Sequence, residues 1–299
     1  MENVVDIYVK FSFLASRSGC HKIARQQIVW LSPAFQEMAD KIKFLGTAGA
    51  RIVVAKQLRS SAGVWITLDE KNLLLDPGPG TLVRCAKSRP PLDPTQLDAI
   101  ILSHQHIDHA NDVNIMIEAM TNGGFCKKGV LFAPLSALEN DPIVLKYVRD
   151  YVDEIHVLKE GGSHTLGSIE ISTPLRHVHP VETYGIVLKS SKYTISFIVD
   201  SRFFPDLIDK YKRSNLIVIN VVRYNGKGGK KLDVDHLNLE DVRKIIKGIR
   251  PKQAILTHFG MTMVRSKPWE IAAEIEKEMK IKTIAASDGM EFDLEKQLM

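Results

Sequence analysis

The stretch Leu102-Ser103-His104-Gln105-His106-Ile107-Asp108-His109-Ala110-Asn111-Asp112 sets three histidines and two aspartates directly behind the apolar run Leu97-Asp98-Ala99-Ile100-Ile101. A short apolar run of this kind reads as a buried strand, so the polar residues cluster at a strand end. In extended chain alternate side chains share a face, which delivers His104 and His106 to one side, with Ile107 turning inward and Asp108 and His109 following at once. Neutral imidazoles bind zinc at about 2.0–2.1 Å, and a neighbouring carboxylate lowers the electrostatic cost of placing a second divalent ion beside the first. Without ions, the same crowding of polar groups at a strand end would be costly to bury.

Outward from this stretch, the composition sets broad limits. With 299 residues and 44% hydrophobic content the chain can bury a full core, and its length suits one large α/β domain. A formal charge of +5, from 40 basic against 35 acidic residues, suits an anionic substrate and falls short of the dense basic signature of a dedicated nucleic-acid binder. Cys20, Cys85 and Cys126 are odd in number, widely spaced and lack a C-x-x-C pair, which argues against a disulfide framework and a thiolate zinc site and fits a reducing cytoplasm. The opening Met1–Ser16 has an acidic start and a broken apolar run, unlike a secretory signal, and no later segment is long enough to span a membrane.

Residues 1–39 show weak periodicity around a polar middle and read as an extension of separate role, with Met38 a candidate start of the functional unit. From residue 40 to 299 β-type runs alternate with amphipathic ones. Strands are expected at KIKFLG, GVWITL, NLLLD, LDAIILS, VLFAP, EIHVL, SIEISTPLRHV, NLIVINVV and QAILTHFG. The run TYGIVLKSSKYTISFIVD reads as a hairpin turning at Lys189–Lys192. Helices are expected at TLVRCAKS, DVNIMIEAM, FPDLIDKY, NLEDVRKIIKGIR and PWEIAAEIEKEMK, the last covering a sheet with Ile and Met inward. Two α/β halves of this kind predict sheets packed together with helices outside.

The pattern H-x-H-x-D-H over His104–His109 resembles the metal motif of the metallo-β-lactamase superfamily, and the resemblance runs from about Lys41 to near the C-terminus. It implies a four-layer αββα sandwich and two divalent metal ions, with His104, His106 and His179 around one, Asp108, His109 and His258 around the other, and Asp200 shared. Ions about 3.5–4 Å apart can hold a hydroxide between them. Asp76, in NLLLDPGPGT, resembles the family acid that orients the histidine loop. His179 has the spacing to Tyr184-Gly185 found in tRNase Z-like members, with His177 the alternative ligand. Redox members carry a glutamate where this chain has His106, so the resemblance favours zinc, with manganese or iron as other occupants. His236, at the entry to a helix, resembles the non-ligand histidine that assists a leaving oxygen, with Asp108 orienting the nucleophile.

Two departures bear on substrate. The interval from Tyr184 to Asp200 is a compact hairpin with no room for the long substrate-gripping arm of tRNase Z, and Asn220 stands where that enzyme has a His-Glu segment. The expected activity is therefore a phosphodiesterase acting on a small or nucleotide-like anion, with a thioester or lactone hydrolase as the enzymatic alternative and a non-catalytic nucleic-acid-binding protein as the third reading. The loop Asn225–Lys231 lacks a Walker pattern and reads as flexible surface lysines, and FLGTAGA reads as a tight turn bordering the substrate cleft.

Overall fold

The computed structural model describes residues 39–224 and 234–298. The expected extension up to Met38, with Cys20, and the loop Asn225–Lys231 lie outside the described residues. The first half contains β1 (Lys41–Phe44), α1 (Ala50–Ala55), β2 (Val64–Leu68), β3 (Lys71–Leu75) and α2 (Thr81–Lys87). It continues through β4 (Ala99–Ile101), α3 (Ile107–Ala110), α4 (Val113–Met120), β5 (Val130–Pro134), α5 (Lys146–Arg149) and β6 (Glu154–Leu158). The second half opens with β7 (Gly162–Leu166), β8 (Ile169–Thr173), β9 (Ile186–Lys189), β10 (Thr194–Ile198), α6 (Asp206–Tyr211) and β11 (Leu216–Asn220). It closes with α7 (Leu239–Ile249), β12 (Gln253–Thr257), α8 (Met261–Arg265), α9 (Pro268–Met279), β13 (Lys282–Ala285), β14 (Glu291–Asp293) and α10 (Leu294–Leu298).

These strands make two seven-stranded sheets, in the orders β14-β1-β2-β3-β4-β5-β6 and β13-β12-β11-β10-β9-β8-β7. The strand period assigns each side chain to a layer. Along β11, Leu216 and Val218 enter the core between the sheets, where they share a cluster with Ile42, Ile66 and Leu73 of the first sheet. Ile217 and Ile219 point the other way, against Val242 and Ile246 of α7 and Ile271 and Ile275 of α9. The first sheet repeats the arrangement: Ile100 and Leu131 turn outward onto Met116 and Ile117 of α4. Helices therefore cover both outer faces, and the architecture is the αββα sandwich of the metallo-β-lactamase fold.

Local sequence explains the helix boundaries that matter for the site. Asn238 caps α7 by accepting from the backbone of Glu240 and Asp241, and Asp241 answers in a capping box, which fixes where the chain leaves the loop carrying His236. In the first sheet β3, β4, β5 and β6 run parallel, and in the second β10, β11, β12 and β13 do. Asp76, the histidine loop, Asp200 and His258 all lie just past the carboxyl ends of such strands, where the crevice of an α/β sheet opens.

Candidate metal centre

His104 follows β4 after two residues, His106 is the N-cap of α3, and Asp108 and His109 lie within that helix. The strand ends at Ile101, earlier than the expected Ser103, and Ile107 faces solvent at 67% exposure instead of turning inward. The cause is α3: starting at Ile107, it turns the chain helical at once, so strand alternation no longer applies there.

Two groups of donors form. In the first, His104, His106 and His179 bring ligand atoms within 4.8 Å of one another, with His179 Nε2 3.0 Å from His106 Nδ1. In the second, Asp108, His109 and His258 do the same, with 2.9 Å between the Nε2 atoms of His109 and His258. Asp200 stands between them. Its Oδ2 is 4.0 Å from His104 Nε2 and 3.4 Å from His109 Nε2, and its Oδ1 is 3.3 Å from His258 Nδ1. His236 adjoins the same carboxylate, its Nδ1 3.5 Å from Asp200 Oδ2, and it forms a further candidate group with His179 and Asp200.

Neighbours hold these rings in place. Asp76, in a left-handed backbone conformation at φ 49°, accepts from the Ser103 amide and hydroxyl, both at 2.7 Å, and pairs with His109 Nδ1 at 3.0 Å. Ser103 Oγ lies 2.9 Å from His104 Nδ1, so one carboxylate orients a histidine in each group. His179 Nδ1 donates to the Asp235 carbonyl at 2.9 Å, which leaves Nε2 as the ring's lone-pair nitrogen. Gly49 is required where β12 ends: a Cβ there would strike the His258 carbonyl and ring, and His258 itself has φ 58°. Sequence reasoning passed over Ser103 and Asp235, and took Asn220 only as a missing His-Glu segment. Asn220 donates to Asp200 Oδ1 at 2.9 Å.

The electrostatics are those of a cation site. Burial holds His104 well below the ordinary imidazole range. Burial would lower His109 too, but the charges of Asp108 and Asp200 and bonds to Asp200 and Asp76 outweigh it and raise this ring well above 6.5. Burial would raise Asp200, yet His258 and His109 hold it well below the carboxylate range. The fully buried Nε2 of His104 has no hydrogen-bond partner, and neither has Nδ1 of His258 or of His236. An unsatisfied buried polar atom costs about 1–3 kcal/mol. Inward-facing nitrogens around shared carboxylates fit divalent ions, which satisfy them by coordination.

His177, the alternative ligand, points elsewhere. It is buried against Tyr211, with Nε2 2.9 Å from the hydroxyl, and burial pushes it down to about 4. An imidazole that is neutral in the fold and ordinary in the unfolded chain makes the unfolded state take up the proton first. Its contribution is intact above pH 6.5 and drains away towards pH 4, by about 3 kcal/mol in all. In urea titrations between pH 7 and 4.5, His177→Gln should shrink the acid loss of stability by an amount of this order. Parallel profiles for the two proteins would remove His177 as a source of that loss.

Comparisons with known proteins agree with this fold. The family described as "Beta-lactamase superfamily domain" matches residues 71–259, and the chain belongs to that family. An uncharacterized protein of Methanocaldococcus jannaschii is 30% identical over 267 residues, covering 86% of this chain and 96% of its own. The probable metallo-hydrolase YhfI of Bacillus subtilis is 24% identical over 203 residues, covering 67% of this chain and 80% of its own. The crystal structure of YhfI superposes with a TM-score of 0.68 at 19% identity, over 85% of this chain and 98% of that one. A diphosphatase from the PhnP family gives 0.62 at 19% identity, over 85% and 97%, and the short form of human tRNase Z 0.64 at 15%, over 84% and 98%. The clustered His and Asp side chains in this family's fold support a hydrolase role.

Proposed function

We propose that the chain is a binuclear metal-dependent hydrolase that cleaves a small or nucleotide-like phosphodiester. His104, His106 and His179 would hold one ion and Asp108, His109 and His258 the other, with Asp200 available to both; zinc is the first choice because position 106 is an imidazole. The observation that carries this reading is the buried Asp200 carboxylate lying within 4.0 Å of His104, His109 and His258, a shared acid between two three-donor groups. When bound, paired ions activate water and stabilise the entering and leaving oxygens of an in-line displacement.

The chain's own residues supply the rest. Burial would raise Asp108, but His109 and the bond with His258 outweigh it and hold this carboxylate below its usual range. It stays ionised, with Oδ2 3.5 Å from His258 Nε2 and 20% of its side chain open to solvent, and orients the attacking water by accepting its hydrogen bond. His236, 23% open to solvent and beside both groups, acts as the proton donor to the departing oxygen. A phosphoester is preferred because solved structures of this fold include a diphosphatase and a tRNase by name. Residues 40–299 are assigned as the catalytic domain and 1–39 as an extension. The unbridged Cys85 and Cys126 suit the cytoplasm. No helix among the described residues is long and apolar enough to cross a membrane.

The test is a panel. Protein loaded with zinc or manganese is assayed on a nitrophenyl phosphodiester, a thioester and a lactone, before and after chelation. Turnover of the phosphodiester that chelation abolishes is the expected result. Turnover of the thioester or lactone alone would overturn the phosphodiester assignment and leave the paired-ion centre standing.

A further inference from the structure

The segment that carries His236 is held differently on its two sides. On the C-terminal side Leu237 O accepts from Val222, Asn238 bridges Arg223, and Asn238 then caps α7, so this side is anchored to the second sheet and its helix. On the N-terminal side the described residues are Val234, whose carbonyl receives the His236 amide at 2.8 Å, and Asp235. Its carboxylate Oδ1 receives Arg202 Nε at 2.7 Å and Nη2 at 2.6 Å, and its backbone carbonyl receives His179 Nδ1 at 2.9 Å. Arg202 is itself fixed to the candidate metal loops. It lies two residues beyond Asp200, its amide donates to Val178 O at 2.9 Å, and the Val178 amide donates to Ser201 Oγ at 3.2 Å. Asp235 therefore joins three segments, those of His179, Asp200 and His236, and is the residue immediately before His236.

We infer that Arg202 and Asp235 form a strut that positions His236 over the paired-ion centre, so both are positioning residues for proton delivery to the leaving oxygen. This rests on the proposed hydrolase reading. The ion pair is half-exposed, with side chains 46% and 26% open. Such pairs contribute little to global stability, so its loss should leave the fold intact while loosening the His236 segment. The backbone carbonyl on His179 survives any change of the Asp235 side chain, so retention of metal and placement of His236 can be separated.

The experiment compares Arg202→Ala, Arg202→Lys, Asp235→Asn and the double variant Arg202→Ala/Asp235→Asn with the parent chain, using two phosphodiesters that differ only in leaving group. A nitrophenolate departs without a proton; an alkoxide needs one. Arg202→Ala and Asp235→Asn should lower kcat for the alkyl ester about tenfold or more and for the aryl ester less than about threefold, with KM little changed. Both should still bind two zinc ions per chain by elemental analysis. The double variant should be no worse than either single one, as for two halves of one contact, and Arg202→Lys should recover part of the loss. Hydrogen exchange of residues 234–238 should speed up about tenfold or more in the same variants.

Equal losses on both esters, loss of bound zinc, or additive effects in the double variant would overturn the strut. If His236→Ala shows the leaving-group split and the strut variants do not, the strut alone fails. If the parent chain hydrolyses neither ester, the phosphodiester reading fails and exchange at residues 234–238 decides: unchanged protection sinks the strut, faster exchange upholds its positioning of the segment.

Discussion

Asp200→Ala should bind no more than one divalent ion tightly and lose about 10³-fold or more of its phosphodiester turnover. The side chain is 2% exposed and reaches both donor groups, so its removal strips an acid from each at once. It also removes a carboxylate that faces the rings of His104, His109 and His258, leaving Asp108 and Asp76 as the acids beside them. Stabilising developing charge with paired ions is worth several kcal/mol, and each 1.4 kcal/mol is a factor of ten in rate. Asp200→Asn should fall in the same direction, since it keeps the shape and the partner of Asn220 while giving up the charge. The readouts are zinc per chain after exhaustive dialysis and kcat/KM on reloading. Two ions retained with turnover within tenfold of the parent would remove Asp200 from its shared position.

Much of the fold is legible because its strands carry their layer assignment in local sequence. NLIVIN is apolar on both faces because one face meets the opposite sheet and the other meets α7 and α9, and TYGIVLKSSKYTISFIVD pairs with itself across Lys189–Thr194. Three features escape a local reading. β14, near the C-terminus, pairs with β1, with Lys41 opposite Asp293, and no nearby pattern records so distant a partner. β7, Gly162–Leu166, is an edge strand with a glycine and polar alternation, so it lacks the apolar run that betrays a strand. α3, α5, α8 and α10 are too short, at 4 or 5 residues, to show helical periodicity.

The candidate site divides the same way. The histidine loop is contiguous, and its spacing alone suggests coordination. The choice between His177 and His179 needs space: residues two apart in extended chain would share a face, yet the turn at Val178 sends one ring to Tyr211 and the other to His106. Ser103, Asn220, Arg202 and Asp235 bear no recognisable chemistry in sequence because each acts by touching another residue, at separations of 20 to 56 positions for Asn220–Asp200 and Asp235–His179. A serine before the first histidine is the one such signal that a strand-end reading could have used.

His236→Ala should cost about 10²–10⁴-fold in kcat on an alkyl phosphodiester, the usual range for a positioned general acid, and only a few-fold on a nitrophenyl ester. The difference arises at the leaving oxygen. An alkoxide carries its full charge away unless a proton reaches it in the transition state, whereas a nitrophenolate spreads that charge over its ring. A histidine that merely coordinates an ion, as the grouping with His179 and Asp200 permits, would change both esters alike and lower the zinc content. Burial holds His236 below the ordinary imidazole range, with the charge of Asp200 opposing, so near neutral pH a protonated ring is the minority form and a readily released acid. His236→Gln, which keeps a hydrogen-bond donor and loses the transferable proton, separates the remaining roles. It should match alanine on the alkyl ester if the ring delivers a proton, and approach the parent if the ring only donates a hydrogen bond to the substrate. Parent-like alkyl turnover in both variants would remove His236 from the chemistry.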